Sequence, residues 1–311
     1  MKIRVFALAA TLAVLAASVA FAQEKTFELR ISHWVPPSHP LQKALEEWGT
    51  SIEKASGGTI KYKVYPAQQL GKAFDHYDMA RDGIADVTYI NPGYQPGRFP
   101  VIAAGELPFL MSNAKSGTAA LDAWYRKYAA KEMRDVKFCL AFVHDPGAIH
   151  AKKKIVSPSE IKGLKIRPAH ATMAEFVTLL GGTNVQAGAP EVREVLEKGV
   201  ADAVTFPWGS ILLFGIDKVT KFHMNVPLYA TTFAWVINKR TYAEMSAKQK
   251  QVIDDHCTNE WAVRVASPWA DFEHDGIAKL KAMPDHTVYD LSPAEVMAWK
   301  AAAEPDRKSV V

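Results

Sequence analysis

Apolar positions in this chain recur with two periods in turn, that of a strand and that of a helix, and the alternation predicts an α/β fold. Glu28 to Trp34 alternates as a strand does. The next segment puts Leu41, Ala44, Leu45, Trp48, Ile52 and Ala55 on one helical face before Ser56-Gly57-Gly58 ends it. Thr59 to Tyr65 returns to the strand period with Ile60, Tyr62 and Val64 directed inward, and Pro66 terminates it. A helical stretch to Gly83 then leads to a strand over Asp86 to Ile90.

The same grammar restarts around Cys139. Phe138 to Val143, Ala148 to Ile155, Leu164 to Arg167 and Ala203 to Phe206 read as extended segments, with helices over His170 to Leu180 and Pro190 to Lys198 between the later ones. Such alternation predicts mostly parallel sheets with helices on both faces. A long helical run begins at Thr241, where Thr241 with Glu244, and Ser246 with Gln249, have capping-box spacing; it reaches Lys281 broken only at Pro268. Ser292 and Glu295 open a last helix. Neither an internal repeat nor a low-complexity linker separates the two sets, so strands should join them.

The first residues set the compartment. Lys2 and Arg4 precede an uncharged apolar run from Val5 to Val19, and Ala20-Phe21-Ala22 is a small-x-small site before Gln23. This predicts a signal peptide over 1–22, cleavage after Ala22 and a periplasmic location. The run is shorter than the roughly 18–20 residues that a membrane span needs. Loss of Lys2 and Arg4 takes 37 basic and 33 acidic residues to 35 and 33, so the net charge falls from +4 to +2, which is no footprint for nucleic acid. With 49% hydrophobic residues over the whole sequence, the chain beyond the leader has the material for two domains. Their expected bounds are 23–144 plus about 233–265, and 145–232 plus about 266–311. Cys139 in an apolar strand and Cys257 on a helix read as small buried hydrophobes; their bridging is left open, and no Cys-x-x-Cys supports redox or zinc chemistry.

Ligands of open α/β sheets bind beyond the carboxyl ends of strands, and between two such domains those ends can face one cleft. The residues there are Trp34, Asn91, His144, Arg167 and Pro207-Trp208. Arg167 is the most specific of them. Ser157 and Glu160 start a short helix, Gly163 stops it, Leu164 and Ile166 form a strand, and Pro168 ends that strand directly after Arg167. A guanidinium delivered this way can grip a carboxylate with two parallel hydrogen bonds; the competing role is a structural salt bridge. The nucleophile elbow, the phosphate loop, the dinucleotide fingerprint and His-Glu-x-x-His are all missing, so no enzyme and no cofactor are expected. His144, Asp145 and His150 fit no standard metal spacing. An acid–base pair of His144 and Asp145 in a secreted hydrolase or lyase is the catalytic alternative.

Four passages in order, Tyr65-Pro66-Ala67-Gln68-Gln69-Leu70-Gly71, Leu107-Pro108-Phe109-Leu110, Gly163-Leu164-Lys165-Ile166-Arg167-Pro168 and Pro190 to Asp202, resemble the periplasmic solute-binding proteins of tripartite ATP-independent periplasmic (TRAP) transporters, dicarboxylate-binding (DctP) type. The resemblance runs from about Thr26 to Glu304. It implies a two-domain, type II-like periplasmic binding protein with a ligand cleft between domains and a long domain-spanning helix. It also implies that Arg167 forms a salt bridge to an organic acid, which is delivered to the TRAP membrane subunits. By the same resemblance His170, Trp208 and Phe233, with Trp34 and Asn91, line the cleft; a carboxylate buried on Arg167 needs donors for its remaining lone pairs, and His170, Asn91 and the Trp208 indole N–H are the candidates. The short polar residues that sialic-acid-type members use around the cleft are here largely replaced by Trp34, Trp208 and Phe233, which favours a compact oxo- or hydroxy-acid, a C4-dicarboxylate or a flat aromatic acid. Hinge motion is expected near His144 and Val226 to Phe233, with Pro268 as a bending point, and the chain stops at Val311 sooner than the family usually does. The alternative is a binding protein of an ATP-coupled transporter or of a sensor kinase.

Overall fold

Phe27, Leu29 and Ile31 are buried while Glu28 and Arg30 between them are not, and this alternation makes β1 (Phe27–Ser32) one strand of a sheet covered by α1 (Pro40–Ala55). The computed structural model describes residues 24–305, so the signal-peptide expectation lies outside the described residues. Leu41, Ala44, Leu45, Trp48 and Ile52 of α1 face inward as their spacing demands. Ala55 does not. The helix is ending there, and it is Ser56 that turns in, its hydroxyl accepting from Ile60 N at 3.0 Å.

The first sheet has the order β2 (Ile60–Tyr65), β1, β3 (Val87–Ile90), β10 (Thr232–Asn238), β4 (Val136–Val143). Helix α2 (His76–Asp82) leads into β3, and α3 (Ala114–Glu132) leads into β4. The second sheet has the order β11 (Thr287–Tyr289), β9 (Phe222–Met224), β5 (Ala148–Ala151), β8 (Ala203–Phe206), β6 (Lys165–Arg167), β7 (Thr183–Asn184). Helix α4 (Ala171–Leu179) joins β6 to β7.

Each sheet is parallel except for one strand. β10 runs antiparallel to β3 and β4, and β5 runs antiparallel to β8 and β9. These reversed strands are where the chain crosses between sheets, from β4 into β5 and from β9 into β10, so each enters its new sheet from the opposite side. The crossings pair with each other: Gly147 N donates to Tyr229 O at 2.8 Å and Leu228 N to Gly147 O at 3.1 Å. A side chain at 147 would meet the Tyr229 ring at 2.7 Å, so this pairing requires glycine.

The expected single run from Thr241 is three helices, Lys239–Glu244, Ala247–Asp255 and α6 (Asn259–Lys281). Asn238, not Thr241, caps the first, its side chain accepting from Thr241 N at 2.8 Å. Ser246 and Gln249 do form a capping box, as do Ser292 and Glu295 at Pro293–Ala302. Thr258 caps α6, and Pro268 lies inside it with helix on both sides. Helix α6 packs on α1, α3 and β4 of the first sheet's layer and on β11 of the second, and so spans both.

Cys257 sits in the turn before α6, not on a helix, and it is disulfide-bonded to Cys139 of β4 with a Cα–Cα distance of 4.5 Å. Arg126 of α3 clasps the pair, donating to Cys257 O at 2.7 Å and Cys139 O at 2.9 Å. Each apolar context was real, but a strand and a turn 118 residues apart are brought together only by the tertiary fold. On the chain-entropy account, closing a loop of that length restricts the unfolded chain by about 5 kcal/mol.

Candidate functional site

The segment before Arg167 folds as a delivery device. Glu160 accepts from Ser157 N and Val156 N, each at 2.7 Å, which starts a 3₁₀ turn over Pro158–Ile161. Gly163, at φ 79°, then redirects the chain into β6. Arg167 ends that strand with 1% of its surface exposed. Its Nε donates to Ala187 O at 2.9 Å, one Nη to the Tyr94 hydroxyl at 3.2 Å, and the Phe206 ring lies 5.6 Å from the guanidinium. Among the described residues no carboxylate pairs with it. A structural salt bridge is therefore not its role. Burying a cation without an anion is costly, and the unused N–H groups are donors that an anion can satisfy.

Arg167 lines a cavity between the two sheets. Of the expected site residues, Trp34, Asn91, His144 and Phe233 line it as well. The walls are aromatic: Trp34 stacks on Tyr89 at 4.9 Å and approaches Tyr94 at 5.9 Å, and Phe233 lies 5.0 Å from Trp269 of α6. Not every polar group here is free for a ligand. The Asn91 amide is partly committed, its oxygen accepting from Gly93 N at 3.0 Å and one of its two N–H groups donating to Ala169 O at 3.4 Å. His144 donates from Nδ1 to Asp145 O at 2.6 Å and accepts at Nε2 from Thr231 N at 3.2 Å; burial lowers its pKa to about 4, so a neutral ring faces the cavity. The Asp145 carboxylate instead accepts from Ala114 N at 2.9 Å. No acid–base pair of His144 and Asp145 is assembled.

His170 and Trp208 are not among the residues lining this cavity. His170 caps α4, its Nδ1 accepting from Met173 N at 3.2 Å and lying 3.0 Å from buried Glu106, and it lines a separate cavity behind Tyr94 and Ala169. Trp208 is the first residue of α5 (Trp208–Leu213). Pro207 holds the backbone extended into that helix, so the indole turns against His150 at 4.9 Å, and Ser210 and Phe214 face the cavity instead.

Tyr94, Trp269 and Tyr229 line the cavity without having been singled out in the sequence. Tyr94 ends a 3₁₀ turn over Pro92–Tyr94 that follows β3, and the Asn91-Pro92-Gly93 turn chemistry was the available signal. Behind the wall, fully buried Glu273 of α6 accepts from Gly209 N, Ser210 N, the Ser210 hydroxyl and Trp269 Nε1. Burial raises its pKa to about 7 against these bonds. Contacts across the cleft complete a closed arrangement: Asn91 to Ala169, Tyr94 to Arg167 and to Ala189 N, and Gln68 to Glu191 at 3.3 Å. Among the described residues no cluster of His, Cys, Asp and Glu is arranged to hold a metal, and no helix is long and apolar enough to cross a membrane.

Residues 31–311 match the family described as bacterial extracellular solute-binding protein, family 7. A TRAP solute-binding protein from a marine metagenome, specific for aromatic acid ligands and solved with 3-hydroxybenzoate, is 32% identical with a TM-score of 0.86, over 92% of this chain and 91% of that one. A TRAP solute-binding protein from Rhodoferax ferrireducens, solved with copurified benzoate, is 28% identical with a TM-score of 0.85, over 91% of this chain and 90% of that one. Among curated relatives, a solute-binding protein of Albidiferax ferrireducens is 25% identical over 215 residues, 66% of this chain; the match spans 62% of that relative's length.

Proposed function

This chain belongs to the bacterial extracellular solute-binding proteins of family 7, and from that premise we propose that it captures a small aromatic monocarboxylate outside the cytoplasm and hands it to the membrane subunits of a TRAP transporter. The observation that carries the reading is Arg167, buried, free of any carboxylate partner among the described residues, and facing an aromatic-walled cavity. The acid's carboxylate takes the unused guanidinium N–H groups, and its ring lies against Trp34, Phe233 and Trp269. Among the described lining residues Arg167 is the sole arginine or lysine, and burial keeps His39 and His144 neutral, with pKa values lowered to about 3 and about 4. A second carboxylate, as in a C4-dicarboxylate, would therefore be buried without a counter-charge. Similarity to proteins solved with benzoate and 3-hydroxybenzoate supports the same class. The ligand acts by its contacts across the cleft, which favour the closed state over the open one.

Thermal melting of the mature protein with benzoate, 3-hydroxybenzoate and malate, with Arg167→Ala alongside, tests this. A ligand at a hundred times its Kd adds about 2.7 kcal/mol, several degrees for a protein of this size. A shift with the aromatic acids in wild type and none in Arg167→Ala is expected. No shift with either aromatic acid, or equal shifts in the variant, would overturn the reading.

A further inference from the structure

Resting on that reading of the cavity, we infer that Tyr94 is the second ligand of the captured carboxylate and the residue that couples its capture to closure. Tyr94 follows β3 of the first sheet, whereas Arg167 and Ala189 belong to the second sheet's side of the cleft. Its hydroxyl oxygen accepts from Arg167 Nη2 at 3.2 Å and from Ala189 N at 3.0 Å. Both acceptor positions of that oxygen are thereby filled, while the hydroxyl proton has no acceptor among the described residues. Tyr94 lines the cavity beside the guanidinium, so a carboxylate gripping Arg167 brings an oxygen to that proton.

The consequence is an interlock. When the cleft is closed and empty, a buried cation lacks an anion and a buried hydroxyl lacks an acceptor. One carboxylate answers both. In the open cleft Tyr94 is withdrawn from Arg167 and Ala189, so the anion stabilises closure through a contact that exists only there. The Tyr94 ring is held independently, stacked on Phe74 at 4.7 Å, so removal of the hydroxyl leaves the packing intact.

Calorimetric titration of the mature protein with benzoate, in wild type, Tyr94→Phe, Arg167→Lys and the double variant, tests the interlock, with small-angle X-ray scattering reporting closure. A hydrogen bond to a charged group corresponds to roughly a 10- to 100-fold loss of affinity for Tyr94→Phe. That loss is expected to shrink several-fold in the Arg167→Lys background, because both side chains act on one carboxylate. Benzoate-saturated Tyr94→Phe is expected to contract less than wild type. Wild-type affinity in Tyr94→Phe, or the same fold-loss in both backgrounds with full contraction, overturns the inference and leaves the carboxylate reading standing. If wild type binds neither benzoate nor 3-hydroxybenzoate, the reading itself falls and takes this inference with it.

Discussion

Glu273 of the long helix accepts from both the backbone N–H of Ser210, at 3.0 Å, and the Ser210 hydroxyl, and so fastens the start of α5 to the helix that spans both sheets. The helices meet without side chains between them: a Cβ on Gly276 would fall 2.2 Å from Gly209 N. With Gly209 N and Trp269 Nε1 also donating to it, Glu273 satisfies four buried donors at the cavity's back wall. We predict that Glu273→Ala costs on the order of 3 to 5 kcal/mol, since each orphaned donor loses its hydrogen bond in a site water does not reach. Urea unfolding measures this, and a loss under about 1 kcal/mol would show that α5 is held by packing alone.

Acid should destabilise the fold well before its surface carboxylates titrate. Burial lowers the pKa values of His39 to about 3, of His76, His144 and His150 to about 4, and of His223 to about 2, against 6.5 unfolded. These rings stay neutral in the folded state while the unfolded chain takes up protons below pH 6.5. Stability is thus lost as pH falls from about 6.5 towards 4, by about 1.4 kcal/mol per pH unit for each histidine. Glu273 works in the opposite sense, its pKa raised from 4.5 to about 7, so its contribution is lost as pH rises through that range. Five histidines outweigh one glutamate. The melting temperature is therefore predicted to drop between pH 7 and pH 5, and an unchanged or higher value at pH 5 would contradict the argument.

Local rules made much of this readable from the sequence, and several of the readings that missed involve contacts distant along the chain. Ser157 with Glu160, then Gly163, predicted how Arg167 is presented, because capping boxes and left-handed glycines act within a few residues. The period of α1 likewise predicted its buried face. The reversed directions of β5 and β10 were not legible, because strand direction depends on where the chain crosses between sheets. Nor was the Cys139–Cys257 bridge, for composition describes each cysteine's surroundings and not its distance from the other. Trp208 illustrates a finer limit. Its place after a strand was legible, but the direction of its ring depends on the helix starting at that residue, ahead of Ser210 and Phe214, whose side chains reach the cavity. Of the donors to Glu273 only Trp269 is local, four residues before it on the same helix; Gly209 and Ser210 lie on a helix more than 60 residues away.

Trp34 yields a prediction about ligand choice. Its indole N–H is buried and has no acceptor among the described residues, while its ring forms part of the cavity wall. An unpaired buried donor costs about 1–3 kcal/mol, which a ligand oxygen beyond the carboxylate can recover. On this account 3-hydroxybenzoate binds about 5- to 150-fold more tightly than benzoate, the fold-change equivalent to one recovered hydrogen bond of that size. Trp34→Phe keeps an aromatic wall and removes only the donor, so benzoate affinity should change little while the advantage of the hydroxyl disappears. Competition calorimetry with both acids on both proteins separates the cases. Equal affinities in wild type would mean that the indole nitrogen faces protein and not ligand, and a preference surviving in Trp34→Phe would assign the hydroxyl to another donor, with the Tyr229 hydroxyl, which also lines the cavity, as the next to replace.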